Sequence, residues 1–145
     1  MNNTFFLKTT KALYFILPIL VWMLIIFSFS NKPTGVASTI DWQDFVIKKF
    51  AHVLIFGGLS LLTYRALRAY RFSRRDAVII AVLFSSFYGL TDEFHQSFIA
   101  GRTSRLRDVG FDTIGSVLSL TMLWYTSQKL PKKLLNLAKE LDLTW

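Results

Sequence analysis

The chain is 145 residues long, with 52% hydrophobic and only 18% charged residues, 14 phenylalanines and a mean hydropathy of +0.40. A soluble domain carries about 25% charged residues, so an ordinary water-facing surface is excluded and a lipid-facing one indicated. The formal charge of +8 implies an anionic partner, nucleic acid or a membrane surface, and the absence of cysteine excludes disulfides, thiolate metal sites and cysteine nucleophiles.

Four apolar runs follow in chain order: 12–29, 50–64, 77–91 and 113–128. Each is apolar nearly all round, as expected of a helix in lipid. The first follows Lys8 and Lys11. It has some features of a signal peptide, with a weak cleavage site at Ser28-Phe29-Ser30, but its length and large residues favour a retained span. The expected fold is all-α: one polytopic membrane domain over 1–145, with four transmembrane helices at about 12–30, 46–66, 76–97 and 107–128. The tail alternates leucines with charged residues after Pro131 and reads as an interfacial amphipathic helix over 131–143.

The charge falls unevenly. Lys8, Lys11, Arg65, Arg68, Arg71, Arg74, Arg75, Lys129, Lys132, Lys133 and Lys139 lie in the N-terminal segment, the middle connection and the tail. The positive-inside rule places these segments, and both termini, in the cytoplasm. Only Asp76, Glu140 and Asp142 oppose them, so they hold the entire net charge. Orientation and attraction to anionic lipid at the cytoplasmic face account for the excess. No nucleic-acid partner is expected, because no recognition module is legible.

The outer segments balance to zero and carry the chemistry. A helix needs about 20 residues to cross the hydrocarbon core, and runs two to four are only 15 or 16 long. Their polar outer ends must therefore sink into the outer leaflet: Lys48, Lys49 and His52, then Asp92, Glu93, His95 and Gln96, then Asp108 and Asp112. Ionisable groups at that depth are functional candidates by default. At about 100° per residue, Ser85, Tyr88, Gly89, Asp92, Glu93, His95 and Gln96 share an arc of roughly 160°, opposite Leu83, Phe87, Leu90, Phe94 and Phe98. Three polar stripes can converge below the outer surface. The loop Gly101-Arg102-Thr103-Ser104-Arg105-Leu106-Arg107 adds arginines against the orientation rule, and guanidinium groups suit phosphate or carboxylate.

These residues resemble the signature of the VanZ-like family. The likeness is carried by the run from Tyr88 to Phe98 (YGLTDEFHQSF), then Gly101-Arg102, Ser104 and Asp108, with Lys49-Phe50-Ala51-His52 upstream and Phe27-Ser28-Phe29-Ser30 closing the first run. Asp112 is a departure, since the family more often has Asn there. The resemblance implies a small bacterial membrane protein linked to glycopeptide (teicoplanin) resistance. It adds weight to His52, Asp92, Glu93, His95, Gln96, Arg102 and Asp108 as one constellation.

Three functions fit. In the first, an enzyme acts on a lipid-linked or phosphate-bearing envelope substrate. His52, Asp92, Glu93, His95 and Asp108 are then the acid–base candidates, and Lys49, Tyr88, Gln96, Arg102, Ser104, Arg105 and Asp112 bind substrate. In the second, the same pocket binds an envelope molecule or scaffolds a partner without turnover. A proton-coupled transporter ranks below both, because no inverted repeat is visible. No cofactor is expected. A divalent metal on His52, His95, Asp92, Glu93 and Asp108 is a variant of the enzyme, ranked lower because Glu-x-His is no recognised metal spacing.

Overall fold

The computed structural model describes residues 3–33, 35 and 38–129. Four helices account for nearly all of them: α1 (Asn3–Ser30), α2 (Asp41–Ala69), α3 (Arg74–Gln96) and α4 (Leu106–Lys129), with no strand among the described residues. The expected helix over 131–143 lies outside the described residues.

Three of the helices are long and apolar enough to cross a membrane: Thr10–Ser30, Asp41–Ala69 and Arg74–Gln96. The 24-residue α4 falls short of that apolar content because Asp108, Asp112, Ser116 and Ser119 interrupt it. All four helices nevertheless expose large apolar side chains, among them Leu24, Leu54, Phe87, Phe94 and Met122. In water such a coat would aggregate, whereas lipid solvates it. The protein is a membrane protein.

The bundle is built on α2, α3 and α4, and α1 packs mainly on α2. Packing in lipid depends on close backbone approach and interhelical hydrogen bonds rather than on the hydrophobic effect. Both devices are present. A Cβ on Gly115 of α4 would lie 2.3 Å from the Val53 carbonyl oxygen of α2, so α2 and α4 touch backbone to backbone. Fully buried serines then link the three helices: Ser85 Oγ donates to the Phe56 carbonyl at 3.0 Å, and Ser116 Oγ to Ser85 Oγ at 2.9 Å. A core cluster of Ile26, Phe56 and Leu59, flanked by Trp22 and Tyr88, lies next along the bundle.

The connection from α2 to α3 has its own logic. Arg71 adopts φ 65°, its N–H reaches the Arg68 carbonyl, and the Phe72 N–H reaches the Leu67 carbonyl. This is a Schellman ending with arginine at the left-handed position usually held by glycine. Ser73 then caps α3, accepting from the Asp76 N–H at 3.1 Å. Because the left-handed conformation costs a side-chain-bearing residue about 1–2 kcal/mol, Arg71→Gly is expected to raise the thermal midpoint in detergent by a few degrees. An unchanged or lowered midpoint would show that the arginine side chain offsets the strain.

Candidate functional site

The α1 C-terminus, the α2 N-terminus, the α3 C-terminus and the α4 N-terminus meet at one end of the bundle. Gly101, at φ 80°, turns the α3–α4 loop against Pro33 and so lays the loop beside the end of α1. Between these parts is a cavity of about 750 Å³. Its lining is mixed: Ile26, Phe29, Phe45, Ile55 and Phe56 are apolar, and Lys48, Lys49, His52, Gln96, Arg102 and Arg105 stand among Asp41, Asp44, Asp92 and Asp108.

Four carboxylates are buried here: Asp92 is 7% exposed, Glu93 2%, Asp108 6% and Asp112 1%. Burying a carboxylate costs several kcal/mol unless it is hydrogen-bonded or paired, so the partners matter. Asp92 accepts from Ser30 Oγ at 2.5 Å and from Gln96 Nε2 at 2.7 Å. Asp108 pairs with Lys49 Nζ at 2.5 Å, and that ammonium lies over the Phe45 and Phe111 rings. Asp112 Oδ1 holds His52 Nδ1 at 2.8 Å. Gly89 makes room for this pair, because a Cβ there would lie 2.6 Å from Asp112 Oδ2. Glu93 Oε2 accepts from the Arg105 backbone N–H at 2.7 Å, and Ser104 Oγ donates to the Glu93 carbonyl at 2.7 Å. Glu93 Oε1 and Asp112 Oδ2 are shielded and have no hydrogen-bond partner among the described residues.

Arg102 acts as a clasp. Its Nε donates to the Lys32 carbonyl at 2.7 Å, one terminal nitrogen donates to the Phe29 carbonyl, and the other reaches Gln96 Oε1 at 3.4 Å. The loop is thereby fastened to the end of α1. The Arg105 side chain lines the cavity and forms no ion pair among the described residues. Lys48 pairs with Asp44 at 2.6 Å.

Of the residues singled out from the sequence, Tyr88, Glu93, His95, Ser104 and Asp112 do not line the cavity; Asp112 is joined to it through His52 and Glu93 through the Arg105 N–H, while Tyr88 and His95 turn to α1. Tyr88 Oη donates to the Met23 carbonyl at 2.8 Å, tying α3 to α1. His95 packs its ring on Phe27, with centroids 4.8 Å apart, and its shielded Nδ1 has no partner among the described residues. For an ion, the ligating atoms of His52, Glu93 and Asp108 lie within 4.8 Å of one another; Asp92 and His95 are not in that group.

The family model for VanZ/LLP1 matches residues 15–127. The chain belongs to the VanZ/LLP1 family. No curated protein and no solved structure matches it. In this VanZ/LLP1 chain the matched stretch contains every cavity-lining residue, including those from α1. Ser30 is the site residue that helical phase on runs two to four missed. Its signal was the serine-rich end of the first run, Phe27-Ser28-Phe29-Ser30, where a hydroxyl at the lipid boundary looks like a solvated terminus. In the fold that hydroxyl is buried against Asp92.

Proposed function

We propose that this VanZ/LLP1 protein binds an anionic, lipid-linked molecule of the bacterial cell envelope in its terminal cavity, as part of a role in glycopeptide (teicoplanin) tolerance. In this reading α4 is a fourth span, both termini are cytoplasmic and the cavity lies at the outer-leaflet level of the inner membrane. The positive-inside pattern supports that orientation. The observation that carries the proposal is the mixed lining: Phe29, Phe45, Ile55 and Phe56 suit a hydrocarbon chain, and Arg105, which forms no ion pair among the described residues, suits a phosphate or carboxylate headgroup. A turnover step would draw on His52, which Asp112 holds by Nδ1 so that Nε2 stays available to a proton or a ligand.

Protein extracted in mild detergent should carry an anionic envelope lipid detectable by mass spectrometry. Arg105→Ala should lower that retention about tenfold, the loss expected for one charge-assisted contact. Equal retention by wild type and variant would remove the anion-binding reading. Incubation of the reconstituted protein with the retained lipid separates enzyme from binding factor: a consumed lipid, spared by Glu93→Gln, means catalysis, and an unchanged one means binding alone.

A further inference from the structure

Charge in the buried cluster does not balance. Four carboxylates are buried at this end of the bundle, yet among the described residues the full cations in contact with them, Lys49 and the more distant Arg107, are both on Asp108. Arg102 is spent on carbonyls and Gln96. Among the described residues, Glu93 has a backbone N–H on one oxygen and no partner on the other. A shielded, unpartnered carboxylate oxygen beside an imidazole and a second carboxylate is the arrangement that a bound cation would satisfy.

We propose that His52, Glu93 and Asp108 bind one divalent cation, Zn²⁺ or Mn²⁺, at the floor of the cavity. The site shares the cavity of the proposed function but does not depend on any lipid being bound there. Each residue has a ligating atom to give. His52 Nδ1 is fixed by the Asp112 carboxylate, which leaves Nε2; this carboxylate–imidazole arrangement is how proteins orient metal-binding histidines. Glu93 offers Oε1, which is unpartnered. Asp108 offers Oδ2, since Lys49 engages Oδ1. One ligating atom from each of the three residues lies within 4.8 Å of those of the other two. Ligands on one ion at about 2.0–2.2 Å bond lengths sit closer than that, so side-chain rotation draws them together on binding. One nitrogen and two carboxylate oxygens without thiolate suit Zn²⁺ or Mn²⁺ better than Cu⁺, which prefers sulfur, or Ca²⁺, which prefers all-oxygen sites. Three protein ligands leave coordination positions open. His52 and Asp108 both line the cavity, so an anionic oxygen entering it can take one. With the ion on Nε2, His52 is a ligand and not a proton carrier.

The test is metal analysis of full-length protein purified in detergent without a polyhistidine tag. About one equivalent of zinc or manganese per chain is expected, lost to a chelator with a fall in thermal midpoint and regained on adding the ion back, because the site joins α2, α3 and α4. Glu93→Gln and His52→Ala should each weaken binding at least tenfold, and Asp112→Asn, which touches no metal, by 10–100-fold. Asp76→Asn, at the opposite end of α3, should bind as wild type does. Should the site variants fail to fold, chelation and readdition on the wild type decide the matter. The proposal is overturned if the wild type holds no metal and its midpoint ignores added Zn²⁺ and Mn²⁺. It is equally overturned if Glu93→Gln and His52→Ala retain wild-type metal, which would mean an adventitious ion only. A metal-free wild type that still retains anionic lipid through Arg105 would leave the proposed function standing and remove the metal alone.

Discussion

Gly115→Ala is expected to destabilise the protein by about 3 kcal/mol or more, the upper range for an overpacked contact. The new methyl carbon would sit 2.3 Å from the Val53 carbonyl oxygen, 2.7 Å from its Cα and 2.8 Å from its carbonyl carbon. All three are backbone atoms, so no rotamer change relieves the clash and α2 must move away from α4. That movement also strains the serine network around Phe56 and the pairs Lys49–Asp108 and His52–Asp112, which bridge the same two helices. Gly110→Ala is the matched control, because a Cβ there meets nothing within 4 Å. As a helix-interior glycine replaced by alanine, it should be neutral or stabilising by up to about 1 kcal/mol. Thermal unfolding of both variants in the same detergent checks the contrast. Equal midpoints would show that the α2–α4 contact is not as close as the structure has it.

Arg102→Ala should open the cavity and abolish function. The guanidinium fastens the loop to the Phe29 and Lys32 carbonyls and steadies Gln96, which in turn holds Asp92 with Ser30. Hydrogen bonds to a charged group contribute about 1.5–3 kcal/mol each when shielded, and less here because Arg102 is only half-buried. Loss of the clasp releases the end of α1 and with it the apolar lining residues Ile26 and Phe29. Arg102→Lys should not rescue, because one ammonium cannot span three acceptors as a planar fork does. The chain has no native cysteine, so spin labels on Asn31→Cys and Thr103→Cys can report the distance between the end of α1 and the loop. A narrow distribution in wild type that broadens in both Arg102 variants is expected. An unchanged distribution would reduce Arg102 to a ligand contact only.

Much of the architecture was legible because the signals are local. Uninterrupted apolar runs predict helices, and Leu83, Phe87, Leu90, Phe94 and Phe98, read as lipid-facing from phase alone, are all exposed. The shortness of runs two to four pointed to the polar ends, and those ends are where the cavity lies. The limit of that reasoning shows at the end of α3. Asp92, Glu93, His95 and Gln96 share one broad arc on a helical wheel, but two neighbours, α1 and the α3–α4 loop, surround that arc. Asp92 and Gln96 turn to Ser30, Glu93 meets the α3–α4 loop, and His95 rests on Phe27 of α1. A wheel carries no information about which neighbour occupies which angle. Salt bridges show the same limit. Lys48 takes Asp44 within its own helix, a pairing that sequence spacing suggests, whereas Lys49 crosses to Asp108 fifty-nine residues away.

The sequence by itself determined the four helices, the membrane character of the chain and the concentration of net charge in three segments, because apolar content, helical period and charge are properties of short stretches of chain. Only the tertiary structure decided the partner of each buried carboxylate: Asp92 with Ser30, Glu93 with the Arg105 N–H, Asp108 with Lys49, Asp112 with His52. Those choices depend on how closely the helices approach. The approach is set where Gly115 meets Val53 and Gly89 meets Asp112, at contacts between residues far apart in sequence.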